Sequence, residues 1–183
     1  MESVNKSFDV NEVFADVEKS FEKYKSVDLD DIFEEGKVCS ALSIEIVSGL
    51  TDILRSVPKM PNSEIVDRVC EFVDMVNDKE GEIWSLSRKG KGKDGEVLIS
   101  FLKELATKGC ISQIDKIFRS GDENHPLVNQ LSSYYETEEK FNELFRMLPE
   151  DYRDKLSGEI ISYQDGDKDY AYPLIGGSAL MGF

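Results

Sequence analysis

The sequence predicts a mainly α-helical fold, a bundle of six to seven helices followed by a small C-terminal β-hairpin. Apolar residues recur at three- and four-residue spacing through most of the chain, which is the period of one face of an α-helix. Glycine and proline interrupt these segments where helices are expected to end. We therefore expect a helical domain over 1–157, a β-hairpin appendage over 158–175 and an uncharged tail over 176–183.

Three amphipathic helices are expected in the first part of the chain. The first begins at Asp9, a good N-cap residue, and keeps its apolar residues on one face. A short acidic turn is interrupted at Gly36, and the second helix is expected over 37–57 with a broad apolar face that suits a central position. Asn62 or Ser63 is expected to cap the third helix.

Further helical segments are expected in the second half of the chain, each introduced by a residue that favours a helix start. A short helical turn follows the last of them and ends at Leu156, before Gly158. The expected starts are Asp94, Ser112, Asn124, Thr137 and, for the short turn, Pro149.

The apolar faces of these helices are expected to meet in one core. Hydrophobic residues make up 40% of the chain, which is enough for a packed interior in a domain of this size. The residues chosen to represent the separate faces are Phe14, Leu50, Phe72, Leu102 and Phe145.

The end of the chain has a different pattern. Residues 159–164 and 168–175 flank Asp165-Gly166-Asp167, and the alternation of apolar residues in the second segment favours a β-hairpin. Residues 171–183 carry no charged side chain in a protein that is 32% charged. This tail either packs on the protein's own surface or offers an apolar docking peptide to a partner. The candidate contact residues in it are Leu180, Met181 and Phe183.

A basic segment at 84–93 stands out because the rest of the chain is acidic. Its glycines predict a loop, and its cations next to a tryptophan could follow phosphates while the indole stacks on a base. It could equally dock on an acidic protein surface. The alternative is a solvated connector with the tryptophan buried in the core. The candidate contact residues are Trp84, Arg88, Lys89, Lys91 and Lys93.

The charge of the chain bears on its partners and its compartment. A formal net charge of −15 repels phosphates, so it disfavours broad contact with nucleic acid or with an anionic membrane. Cys39, Cys70 and Cys110 are odd in number and far apart in sequence, which is typical of reduced thiols. No leader-like segment opens the chain and no apolar run approaches the ~20 residues of a membrane span. We expect a cytoplasmic protein without membrane contact.

Residues that could carry chemistry are few. His125 is the only histidine, and its place beside Pro126 favours a helix start over a general base. Paired cysteines of a zinc site are missing, and the phosphate-loop and nucleophile-elbow motifs are absent. Asp165, Asp167 and Asp169 alternate as in a calcium loop, but Tyr170 stands where that loop needs glycine. The sequence therefore assigns no catalytic residue, no cofactor and no metal.

The residues favour a non-enzymatic regulatory or adaptor protein that binds a partner protein. The alternatives are a nucleic-acid-associated protein that uses the basic segment and a small enzyme with carboxylate chemistry. A steep fall of binding with salt would favour the first alternative. A pocket that gathers buried carboxylates with perturbed pKa values would favour the second. The sequence does not give the partner or the oligomeric state.

Overall fold

The computed structural model describes residues 8–27, 32–58, 63–87, 95–122, 125–128, 131 and 138–164. Within these ranges the protein is mainly helical, as predicted. The helices are α1 (Val10–Lys25), α2 (Ile32–Ser56), α3 (Glu64–Glu80), α4 (Glu82–Leu86), α5 (Gly95–Thr107), α6 (Ile111–Arg119), α7 (Glu138–Met147) and α8 (Glu150–Gln164). A two-residue antiparallel ladder pairs β1 (Gly121–Asp122) with β2 (His125–Pro126).

The longest of these helices, α2, is the centre of the fold. It has 25 residues, and α1, α3, α4 and α5 all pack against it. Its apolar face is broad enough to serve several neighbours, since Ile46, Val47, Leu50, Ile53 and Leu54 are all fully buried. In turn α5 contacts α6 and α7, which extends the same core away from α2.

The predicted shared core is confirmed. The five residues chosen from sequence lie in one cluster of buried side chains, and none of them is more than 7% exposed. Burial of this kind supplies most of the stability of a helix in a globular protein, because the separate helices are marginal in water. The confirmed residues are Phe14, Leu50, Phe72, Leu102 and Phe145.

Helix α1 lies close against α2 at Gly49. A Cβ atom built at this position would lie 2.5 Å from Cγ2 of Val17, a distance that real side chains do not tolerate. Glycine is therefore required here by the approach of the two helices, although it lowers helix propensity.

We expect Gly49→Ala to lower the free energy of unfolding by about 1–3 kcal/mol, because the stiff β-branched Val17 cannot move aside freely. Denaturation in urea measures this change. Val17→Ala itself loses buried surface, but in that background Gly49→Ala should cost less, since alanine at position 17 removes the clashing methyl groups. Alanine adds up to about 1 kcal/mol of helix propensity relative to glycine. If Gly49→Ala alone raised the free energy of unfolding by this amount, the result would contradict the close packing.

Several predicted helix boundaries are corrected. Asp9 does cap α1, since its Oδ1 accepts hydrogen bonds from the backbone N–H groups of Asn11 (2.9 Å) and Glu12 (3.4 Å). Helix α2, however, begins at Ile32 and runs through Gly36. That glycine is exposed in open space, so it costs about 1 kcal/mol of helix propensity, less than the cooperative loss from breaking a long helix.

The turn between α5 and α6 is tighter than the sequence suggests. Gly109 adopts a left-handed conformation with φ of +77°, and the N–H of Cys110 donates to the carbonyl of Leu105 (2.9 Å). The next helix then starts at once, with Cys110 as its N-cap. Ser112, which was expected to cap this helix, lies inside its first turn instead.

Three other segments differ from expectation. Trp84 to Leu86 belong to the short helix α4 and not to a loop, which raises the helix count among the described residues to eight. His125–Pro126 forms a strand of the ladder where a helix start was expected, and the described residues after it, Leu127, Val128 and Leu131, are helical. Helix α8 continues through Gly158 to Gln164, so the first strand expected for the hairpin is helical. Extending an existing helix is inexpensive, whereas an isolated two-stranded hairpin is marginal. Residues 165–175 lie outside the described ranges.

Candidate functional site

An open groove runs between α1 and α3. Both helices pack on α2, but their backbones do not pack closely on each other, and side chains line the space between them. The groove has a volume of about 520 Å³. Its lining residues recur at intervals of one and two helical turns, so they lie on one face of each helix. They are Phe14, Glu18, Phe21 and Glu22 from α1 and Arg68, Glu71, Phe72 and Met75 from α3.

The floor of the groove is aromatic. Phe14, Phe21 and Phe72 are 1%, 3% and 7% exposed, so these rings belong to the core and reach the groove only at their edges. Phe21 and Phe72 meet edge to face, with ring centroids 5.4 Å apart and an interplanar angle of 70°. Met75 adds a half-buried thioether side chain, which adapts easily to the shape of a ligand.

One cation lies across this groove. The guanidinium carbon of Arg68 stands 3.9 Å from the ring centroid of Phe14, within cation–π distance. Its Nη2 donates to Oε1 of Glu18 (3.2 Å), and its Nη1 donates to Oδ1 of Asn11 (3.4 Å). The side chains of Arg68 and Glu18 are 44% and 55% exposed, so this ion pair contributes at most about 1 kcal/mol. Arg68 can therefore exchange these contacts for others at low cost.

The rim of the groove is acidic. Glu18, Glu22 and Glu71 contribute three carboxylates, against two cations. Arg68 pairs with Glu18, and Lys25 pairs with Glu22 (2.6 Å) while its ammonium stands 5.0 Å from the ring of Phe21. Apolar rings surrounded by excess negative charge favour a ligand that carries both apolar and basic groups.

A second, smaller cleft lies between α2 and α5. It has a volume of about 350 Å³, and most of its lining is polar. Two of these groups already have partners within the chain, because Thr51 Oγ1 donates to the carbonyl of Val47 (2.7 Å) and Arg55 Nε donates to Glu104 (3.1 Å). This cleft has no apolar floor comparable to that of the groove between α1 and α3. The lining residues are Ser48, Thr51, Asp52, Arg55, Glu96, Val97 and Ser100.

Among the carboxylates that the structure describes, two have clearly shifted pKa values, and both are shifted downwards. Burial works to raise the pKa of Asp115, but hydrogen bonds from Arg119 Nε and Tyr152 Oη, each 3.0 Å long, outweigh it and lower the pKa. A hydrogen bond from Lys103 lowers the pKa of the exposed Glu143. The Tyr152 bond links α6 to α8 and the Lys103 bond links α5 to α7, whereas Arg119 bonds to Asp115 within α6. These bonds therefore hold the helical structure together. Among the described residues, no three histidine, cysteine or acidic side chains cluster in a way that could hold a metal ion.

Trp84 is the one predicted contact residue that the structure describes. Its side chain is fully buried, its Nε1 donates to Asn77 Oδ1 (2.7 Å), and its ring stacks on Phe101 with centroids 5.9 Å apart. This is the placement expected from the alternative in which the tryptophan belongs to the core, and its ring is not open to a nucleic-acid base. The other predicted contact residues lie outside the described ranges and stay predictions: Arg88, Lys89, Lys91, Lys93, Leu180, Met181 and Phe183.

The groove itself was not predicted from sequence. Its aromatic residues were assigned to the core, and its glutamates were counted with the general acidic surface. The available signal was the position of Glu18 and Glu22 one and two turns after Phe14 on the first helix, which puts carboxylates beside the apolar stripe. The sequence does not indicate which helix packs next to this edge of α1.

Comparison of the chain with protein-family models, with curated proteins and with solved structures gives no significant match. Within the described ranges, none of the helices combines the length and apolar character that crossing a bilayer requires.

Proposed function

We propose that the protein works by binding a partner protein, and that the groove between α1 and α3 receives a basic, amphipathic helix of that partner. The observation that carries this proposal is the combination of an aromatic floor with three rim carboxylates in one open groove. Burial of apolar side chains on the floor supplies affinity, while the carboxylates select for lysine or arginine at the edges.

The dimensions of the groove limit the contact. Phe14 to Glu22 and Arg68 to Met75 each span roughly 10–12 Å along their helix axes, about two helical turns. A docked helix can therefore place two or three anchor side chains at the spacing i, i+3 or i+4, and i+7. Such a contact is smaller than a standard protein interface, so we expect weak and rapidly reversible binding.

Arg68 is the cation that a basic ligand has to displace from Glu18. An incoming cation that pairs with Glu18 competes with the guanidinium for the same carboxylate, and Arg68 keeps its contact with Phe14 or moves into solvent. The nucleic-acid alternative depends on the basic segment, since the acidic rim of the groove repels phosphates.

A matched pair of variants tests the role of the rim. The probe is a fluorescent amphipathic peptide of about 18 residues made of leucine and lysine, with a leucine–glutamate peptide as its charge-reversed counterpart. We expect Glu18→Gln/Glu22→Gln/Glu71→Gln to weaken binding of the basic peptide roughly tenfold, measured by fluorescence anisotropy.

The control variant Asp16→Asn/Asp52→Asn/Asp154→Asn removes the same number of charges from exposed helix positions outside the groove. It should change the affinity by no more than about twofold, the residual effect of net charge at physiological salt. Equal weakening in both variants would show that only the overall charge attracts the peptide. Peptide binding that appears only after residues 176–183 are deleted would make the chain's own tail the occupant and overturn the proposal of a partner helix.

A further inference from the structure

Two cysteines that are far apart in sequence have their sulfur atoms in contact. Cys70 lies in α3 and Cys110 is the N-cap of α6, and their Sγ atoms are 3.3 Å apart. Both thiols are free, Cys110 is 8% exposed and Cys70 is partly exposed. Cys39, the third cysteine, is buried in α2 away from this pair.

The surroundings give the two thiols different roles. The Cys70 thiol donates a hydrogen bond to Cys110 Sγ, which lowers the pKa of Cys110 although burial and Asp67 oppose this. Lys108 and the position of Cys110 at the start of α6 also favour a thiolate there. The same hydrogen bond, with burial, raises the pKa of Cys70. Cys110 is therefore the better nucleophile and Cys70 the better proton donor.

The contact between α3 and α6 is held in place next to the sulfurs. Asp74, one turn after Cys70, accepts hydrogen bonds from Lys116 Nζ (2.8 Å) and Gln113 Nε2 (3.4 Å) of α6. Forming a disulfide bond, which is ~2.05 Å long, requires the sulfurs to approach by a little over 1 Å.

We propose that Cys70 and Cys110 form a reversible disulfide when the protein meets a hydroperoxide, and that this bond locks α3 to α6. In the first step the Cys110 thiolate attacks the terminal oxygen of the hydroperoxide, and the S–O bond forms as the O–O bond breaks. The alkoxide that leaves, or hydroxide in the case of hydrogen peroxide, takes up a proton. In the second step the Cys70 thiol loses its proton and its sulfur attacks Cys110 Sγ. The S–S bond forms, the S–O bond breaks and water leaves. Two thiols are oxidised and one peroxide is reduced, and a dithiol reductant reverses the change. This inference does not depend on the function of the groove.

The experiment uses the reduced full-length chain, hydrogen peroxide and peptide mapping by mass spectrometry. Oxidation should lower the mass by about 2 Da, remove two of the three alkylatable thiols and give a Cys70–Cys110 linked peptide. The melting temperature should rise by roughly 5–15 °C, because the bond closes a loop of about 40 residues, and dithiothreitol should reverse the rise. Cys39→Ser should give the same Cys70–Cys110 linked peptide and the same rise in melting temperature on oxidation, since Cys39 takes no part.

Two single variants test the order of the steps. Cys70→Ser, checked for native helicity by circular dichroism, should accumulate sulfenic acid on Cys110 that dimedone traps, because no resolving thiol is left. Cys110→Ser should form sulfenic acid on Cys70 at a rate roughly tenfold lower. Oxidation of all three thiols independently, a crosslink that includes Cys39, or intermolecular disulfides in place of the internal bond would each overturn the proposal.

Discussion

Replacing Trp84 with alanine is expected to lower the free energy of unfolding by about 3–5 kcal/mol. The indole is fully buried, stacks on Phe101 and donates to Asn77 Oδ1, so its removal leaves a large cavity and a carbonyl oxygen without its donor. Asn77 Nδ2 already has no hydrogen-bond partner among the described residues, which makes a further loss costly. Denaturation in urea, followed by circular dichroism, measures the change.

Two control variants separate the contributions of the indole. Trp84→Phe keeps an aromatic ring beside Phe101 and loses the hydrogen bond, so we expect a smaller loss of about 1–3 kcal/mol. Phe8→Ala removes an aromatic ring that is 49% exposed, and should cost no more than about 0.5 kcal/mol. A loss below about 1 kcal/mol for Trp84→Ala would mean that the ring is not part of a packed core and is free for other contacts.

Replacing Phe72 with alanine is expected to lower the free energy of unfolding by roughly 3–5 kcal/mol. Phe72 is 7% exposed, packs edge to face on Phe21 and forms part of the floor of the groove. The same substitution should also weaken peptide binding, because it removes apolar surface that an anchor side chain would cover. Equilibrium unfolding gives the first effect, and anisotropy titration at a temperature where the variant remains folded gives the second.

A double-mutant cycle with Phe21→Ala checks the cause of the stability loss. Two aromatic rings in edge-to-face contact are coupled by about 0.5–1.5 kcal/mol beyond their separate burial. Met147→Ala is the surface control, because that side chain is 44% exposed and lies on α7. Strictly additive losses for Phe21 and Phe72 would contradict the packing of α1 against α3 that forms the groove.

The core could be predicted from sequence because burial follows directly from periodicity. Leu50 and Leu102 lie on stripes with helical spacing, and a helix with one apolar stripe must turn it inward. Asp9 was recognised as a cap for a similar local reason, since its carboxylate bonds to N–H groups two and three residues later.

Helix boundaries were harder to predict than the core, because glycine and serine occur both at helix ends and inside helices. Gly36 and Gly158 lie inside helices, where the cooperativity of an existing helix outweighs their low propensity. Ser112 was displaced as a cap by Cys110, since the left-handed turn at Gly109 starts the next helix earlier than the serine signal suggests. Local patterns cannot resolve such competition between neighbouring signals.

The candidate sites depend on contacts between distant segments, which explains why the sequence did not reveal them. Glu18 and Glu71 are 53 positions apart, and Cys70 and Cys110 are 40 apart. Glu18 and Glu71 line one groove because α1 and α3 both pack around α2. Cys70 and Cys110 are in contact because α3 packs against α6. The basic segment and the uncharged tail were found from composition alone and stay predictions.

Methyl NMR spectroscopy of the methionines gives the most direct test of binding in the groove. Met75 lines the groove, whereas Met147 is exposed on α7, and substitution by leucine assigns each of the two resonances. During titration with the leucine–lysine peptide we expect the ε-methyl resonance of Met75 to shift along a saturable curve while that of Met147 stays unchanged. The shift should require a higher peptide concentration in Glu18→Gln/Glu22→Gln/Glu71→Gln. A peptide that binds and shifts Met147 but leaves Met75 unchanged would contradict the assignment of the groove as the binding site.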